Sequence, residues 1–128
     1  MHTLANEFGF SSDQLQSVAS QAFDLLESGD LDGAAVVFSG LVALDPNDAG
    51  IQAALGAVFH QQGKVGDAMS AYDAALKLDG NTVLARVNRG ELRCKKGDRG
   101  GVDDLKIAAG IPSAVQARAK SLLKLYAR

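Results

Sequence analysis

The sequence predicts an all-α solenoid of three helical hairpins in series, closed by a terminal helix. Three observations lead there. Residues recur at intervals of thirty-four: Gly29, Gly63 and Gly97; Ala22, Gly56 and Gly90; Leu41, Ala75 and Ala109. A period of roughly 20–50 residues marks a stack of one supersecondary unit, each copy burying a face that it has no means of burying alone. Within each period the apolar residues fall at helical spacing, as in Leu15, Val18, Ala19, Ala22, Phe23, Leu25 and Leu26. Finally, aromatic residues make up 5% of the chain, tryptophan is absent, and 14 of 128 residues are glycine. That composition suits helices crossing at close range better than an aromatic-filled β core.

The elements follow in order. Residues 1–14 form an N-terminal segment that ends in Ser11-Ser12-Asp13-Gln14, a capping-box start for a helix over 12–28. Gly29 stands where a positive φ ends that helix. A second helix over about 31–44 carries Ala34, Val37, Phe38, Leu41 and Leu44 on one stripe. Helices over 49–62 and 65–78 repeat the pair, and 83–96 and 99–109 repeat it less cleanly. The three repeats therefore span 15–48, 49–82 and 83–116. Residues 113–128 form a C-terminal helix overlapping the last repeat, started by Pro112 and Ser113 with Gln116 completing a second capping pattern, and striped by Leu122, Leu123 and Tyr126.

Small residues have a steric task at helix crossings. Ala22, Gly56 and Gly90 on the first helices, and Ala34, Ala68 and Val102 on the second, let each hairpin close, while Phe38 and Tyr72 fill the gaps between hairpins. In the third repeat Lys106 stands in the aromatic's place at thirty-four, and the segment reads as if one residue were missing before Asp104. A short or shifted helix is expected there.

These residues resemble the tetratricopeptide repeat family. "LGAVFHQQGKVGDAMSAYDAALKLD" at 55–79 and "NRGELRCKKGD" at 88–98 look like its repeats, and 113–128 looks like its solubilising C-terminal helix. The resemblance implies a curved solenoid that binds an extended protein segment on its concave face. Lining residues by that pattern are Ala19, Phe23 and Leu26, then Ala53, Ala57 and His60, then Val87, Glu91 and Cys94. Apolar stripes are as often core as surface, so a core role for Phe23 and Leu26 stays open. A clamp for a C-terminal carboxylate is not expected, because only Asn88 suits it and Ala19, Phe23 and Ala54 occupy its other places. A narrower resemblance is to the class II chaperones of type III secretion. It is carried by "SSDQLQSVASQAFDLLESGDLDGAAVVFSGLVALDPND", by Phe38, Leu41, Leu44 and Asp45, and by Leu55-Gly56-Ala57. It implies an unfolded, apolar translocator segment as client and dimerisation through the N-terminal region. The fold alone equally suits an adaptor in another assembly pathway.

Charge is distributed unevenly. Residues 1–85 hold eleven acids and two bases, a net of −9; residues 86–128 hold eleven bases and four acids, a net of +7; the chain totals −2. Arg86, Arg89 and Arg93 share one helix face and, with Lys95, Lys96 and Arg99, make a basic patch for an acidic partner. The alternative is that their stems pack while their heads pair with Asp103 and Asp104. In a third reading the basic half meets the acidic half of another copy, which predicts salt-sensitive association. The basic cluster lacks the interleaved aromatics of a nucleic-acid site.

Catalysis, cofactors and metals find no support in the residues. His60 has no Ser, Cys or acid partner in a recognisable arrangement, and Cys94 has no His partner. Gly97-Asp98-Arg99-Gly100-Gly101 lacks the Lys-Ser/Thr ending of a phosphate loop, and no His/Cys pair has zinc spacing. The phrase Asp45-Pro46-Asn47-Asp48-Ala49-Gly50 begins like a calcium loop, but its later ligand positions hold Ala49 and Gly56. The single cysteine, and the absence of a signal-like N-terminus or an apolar run of about 18 residues, point to a cytoplasmic protein without membrane insertion.

Overall fold

A computed structural model describes residues 3–127. Met1, His2 and Arg128, at the outer ends of the expected N-terminal segment and C-terminal helix, lie outside the described residues. The described residues form helices only: α1 (Leu4–Glu7), α2 (Ser12–Glu27), α3 (Leu31–Leu44), α4 (Ala49–Gln61), α5 (Val65–Leu78), α6 (Val83–Lys95), α7 (Gly100–Ala109) and α8 (Gln116–Tyr126). Each helix from α2 onward packs against the next, and α4 also touches α6, as α6 touches α8. This is the neighbour-to-neighbour stacking of a solenoid made of the hairpins α2/α3, α4/α5 and α6/α7.

Local chemistry sets the helix ends. Ser11 and Gln14 form the expected capping box on α2, with Ser11 N–H donating to Gln14 Oε1 at 2.8 Å and Gln14 N–H to Ser11 Oγ at 3.1 Å. Asp30 accepts from Gly33 N–H at the start of α3, and Asp48 from Ile51 N–H at the start of α4. The hairpin turns end at Gly29, Gly63 and Gly97, with φ of 87°, 79° and 79°, which a side chain would strain. Both Leu-Asp phrases close as Asx turns: Asp45 accepts from Asn47 N–H at 3.0 Å, and Asp79 from Asn81 N–H at 2.9 Å. Only the first is followed by a side-chain cap, since Thr82, the N-cap of α6, makes no such bond.

One expectation needs correction and another is met. The terminal helix starts at Gln116, not at Pro112–Ser113, and no capping box forms. Ser113 Oγ accepts from Val115 N–H while the Gln116 amide donates to the Ala109 carbonyl, so both side chains are spent on the preceding turn. In the third repeat α7 is both shorter than α5, at 10 residues against 14, and shifted by one position, as the residue missing before Asp104 leads one to expect. Gly101, Leu105 and Ala108 are buried, each thirty-three residues after the buried Ala68, Tyr72 and Ala75, whereas Val102 and Ala109 are only half-buried. Lys106 is exposed, and Leu105 fills the aromatic's place.

The core runs along the stack. Ala22, Ala34, Phe38, Leu41 and Val58 pack at one end; Ala68, Tyr72, Ala75 and Ala85 in the middle; and Val87, Ala108 and Ala119 where α8 covers α6 and α7. A methyl added at Gly56 would lie 2.5 Å from Cε1 of Tyr72, and one at Gly101 would lie 2.5 Å from the Gly90 carbonyl oxygen. Both glycines therefore set how closely their hairpins close.

Candidate peptide groove

The first helices present two unlike regions. At the N-terminal end, α2 and the α3–α4 turn enclose an open groove of about 580 Å³. Its floor is Leu15, Ala19, Phe23, Leu41 and Ile51, and its rim carries Ser12, Gln16, Ser20, Asp24, Asp45 and Asp48. Phe23 is 40% exposed and meets Phe38 edge-to-face, with ring centroids 5.0 Å apart. The buried Phe38 thus fixes one side of the Phe23 ring while the other faces the groove.

Toward the C-terminal end the face becomes polar. Arg118, from α8, donates to Asn88 Oδ1 at 2.8 Å and to Glu91 Oε1 at 3.0 Å. His60 lies within the field of Glu91, Lys95 and Arg118, and burial is the main reason that its imidazole is held below its ordinary pKa. The Tyr72 hydroxyl is buried beside Asn88 and makes no well-formed hydrogen bond with any described residue. Burial pushes it up to about 12, against the opposing influence of Asn88 and Arg118.

The predicted lining residues divide accordingly. Ala19 and Phe23 line the groove, and Leu26 is half-buried against the first core cluster. Ala57, His60 and Glu91 are half-buried on the first helices. Ala53 and Val87 are 1% and 0% exposed and offer no surface to a ligand, because Ala53 packs in the core with residues of α5 and α6 and Val87 with residues of α7 and α8. Cys94 is turned toward α7, where its sulfur packs on Gly101, and burial followed by Asp104 and Asp98 pushes its thiol up, away from the reactive thiolate.

The arginine stripe is an internal ion cluster, not an open patch. Arg89 grips Asp104 with two bonds, from Nε at 2.9 Å and from Nη2 at 2.8 Å; Arg86 adds one at 2.9 Å and Arg93 one at 3.1 Å. Arg89 also donates to Asp73, and Arg86 Nε to the Gly80 carbonyl. Asp104 is 1% exposed. Its burial favours the neutral acid, but the hydrogen bonds of Arg89 and Arg86 and the charges of Arg89 and Arg93 outweigh it and hold the carboxyl below the usual range. Of the expected pairs, that with Asp104 forms, and Lys95, Lys96 and Arg99 remain exposed.

One functional residue here is not among those the sequence singles out. Arg118 lies four residues before Leu122, on the stripe that faces α6, so helical spacing pointed to it. Asp104, the expected ion partner of the arginines, is buried because it lies thirty-three residues after the buried Ala71, one short of the period. Among the described residues no group of three or more His, Cys, Asp or Glu side chains is placed to hold a metal, and no helix is long and apolar enough to cross a membrane.

An α-solenoid of small-residue hairpins with a groove along its first helices defines a class of repeat scaffolds. The chain belongs to the tetratricopeptide repeat family, whose model matches residues 25–89. Among solved structures it is similar to the type III secretion translocator chaperone SycD of Yersinia enterocolitica, with 26% identity and a TM-score of 0.86 over 98% of each chain. It is similar also to PcrH of Pseudomonas aeruginosa, at 26% identity and a TM-score of 0.82, over 93% of this chain and 96% of that one. PcrH in complex with the chaperone binding region of PopD matches at 27% identity with a TM-score of 0.80, over 93% and 95%. Comparison with curated protein sequences gives no match.

Proposed function

We propose that this protein is a non-catalytic secretion chaperone that holds an extended, apolar segment of a translocator in its concave groove. The observation that carries the reading is likeness along the whole length to SycD, a translocator chaperone. The groove around Ala19 and Phe23 suits such a segment: its floor is apolar, its rim is polar, and Phe23 is exposed on a rigid helix. Ala57, His60 and Glu91 continue the binding face. The repeats divide at 15–48, 49–82 and 83–116, and the protein works in the cytoplasm, where a translocator would need holding before export.

Phe23→Asp and Ala57→Arg should each abolish client binding while helicity by circular dichroism stays unchanged. Retained binding by both variants would count against groove recognition. Co-expression with a candidate translocator separates a chaperone, which keeps the client soluble, from an adaptor, which does not.

Dimerisation belongs to the same reading. SycD has been crystallised as an alternative dimer, and Leu4, Phe8 and Phe10 are exposed around α1, Phe8 at 69%. Because Arg86, Arg89 and Arg93 are spent inside the chain, a contact between basic and acidic halves has fewer cations to use. A dimer resting on the apolar N-terminal surface should persist at high salt in analytical ultracentrifugation, and one resting on charge should dissociate.

A further inference from the structure

The groove at α2 combines an apolar floor with a rim of one charge sign. Asp24, Asp45 and Asp48 stand on it, and among the described residues no lysine, arginine or histidine lines it. Asp45 and Asp48 each accept a backbone hydrogen bond, from Asn47 and Ile51, so their carboxylates are fixed beside the opening while retaining accepting capacity. The nearest half of the chain reinforces the field, since residues 1–85 carry a net of −9. Clefts with low-dielectric walls and one sign of charge concentrate the opposite sign. A purely apolar segment would bury this floor but leave the rim unmatched, and an acidic one would be repelled.

We propose that this groove selects an extended segment in which an apolar side chain, seated against Phe23, is flanked by lysine or arginine. The inference rests on the groove-binding reading and adds a charge rule to it. It is tested with three labelled ten-residue peptides that share a central leucine and are flanked by lysine, serine or glutamate, read by fluorescence anisotropy. At low ionic strength the lysine peptide should bind about tenfold more tightly than the glutamate peptide, with serine between, and the spread should shrink in high salt. Asp24→Asn should narrow the spread, and Phe23→Asp should remove binding of the serine peptide. Equal affinities for the three peptides, no binding of the lysine peptide, or a spread unchanged by Asp24→Asn would each overturn the proposal. Conversion of a dimer to a monomer by the lysine peptide would do so too, by assigning the groove to the basic half of a second copy. Equal peptide affinities with loss of client co-purification in Phe23→Asp would remove only the charge rule. Client retained by Phe23→Asp would remove the groove reading itself.

Discussion

The second and third hairpins solve one packing problem with opposite chemistry. In α4/α5 the fully buried Tyr72 ring lies on Gly56, and the space between the two helices is filled by an aromatic ring with a single hydroxyl. In α6/α7 the smaller Leu105 takes that place, and the volume beside it is filled by Asp104 and the three guanidinium groups around it. Carbon packing tolerates approximate geometry. A buried carboxylate does not, because each unmade bond leaves charge in a poor solvent. The third hairpin is thus the more exacting half of the scaffold, and its helix α7, with 10 residues against 14 in α5, has less backbone to hold it.

The sharpest way to break the contrast is Asp104→Asn. It leaves the shape nearly unchanged but strips the charge that three arginines share, and should cost about 3–5 kcal/mol by urea denaturation. Hydrogen exchange should accelerate in α6, α7 and α8 while α2 to α5 keep their protection. Uniform acceleration along the chain would show that the hairpins do not differ in this way. Acid should find the same weakness. Because the folded-state pKa of Asp104 is lowered, its contribution is fully present above the unfolded value of about 3.9 and is lost as pH falls through the lower folded value. Unfolding below about pH 4 should therefore begin in the third hairpin.

The glycines give a smaller, graded comparison. Gly56→Ala presses a methyl on the Tyr72 ring, and Gly101→Ala presses one on the Gly90 carbonyl and on Cys94. Overpacking costs about 1–3 kcal/mol, and backbone yields less than a side chain. Gly101→Ala should fall near the upper end of that range and Gly56→Ala below it, as read from the urea midpoints. The reverse order would mean that the third hairpin is the more plastic of the two.

The same contrast explains what was readable in the sequence. Hairpin packing by small residues leaves a period, and Ala22, Ala34, Gly56 and Ala68 announce helices α2 to α5 almost to the residue. One residue is missing before α7, so counting by thirty-four lands on Val102 and Lys106 where Gly101 and Leu105 pack; the gap shows in the sequence, but not at which position the register changes. The groove was half readable. Ala19 and Phe23 follow from periodicity, but Ala53 and Val87 share that periodicity and face inward, since spacing gives the stripe and not which neighbour covers it. Arg118 comes from a helix outside the repeats, so the repeat pattern carried no information about it.

The least of the expected effects concerns the polar end of the groove. Burial, opposed by Glu91 and aided by Lys95 and Arg118, holds His60 below its ordinary pKa, so the folded chain favours the neutral imidazole. The sign follows. Above about pH 6.5 the imidazole is neutral in both states and its burial is free of any protonation cost. As pH falls below that value the unfolded chain takes up a proton more readily than the folded one, and stability declines until the lower folded value is passed. Comparing urea midpoints at about pH 7.5 and about pH 5.5, the native chain should lose more than His60→Gln does. A larger loss in the variant would mean that Glu91 controls the imidazole. The carboxylate would then be drawn to His60 as well as to Arg118, and the polar end would be organised around a charged histidine.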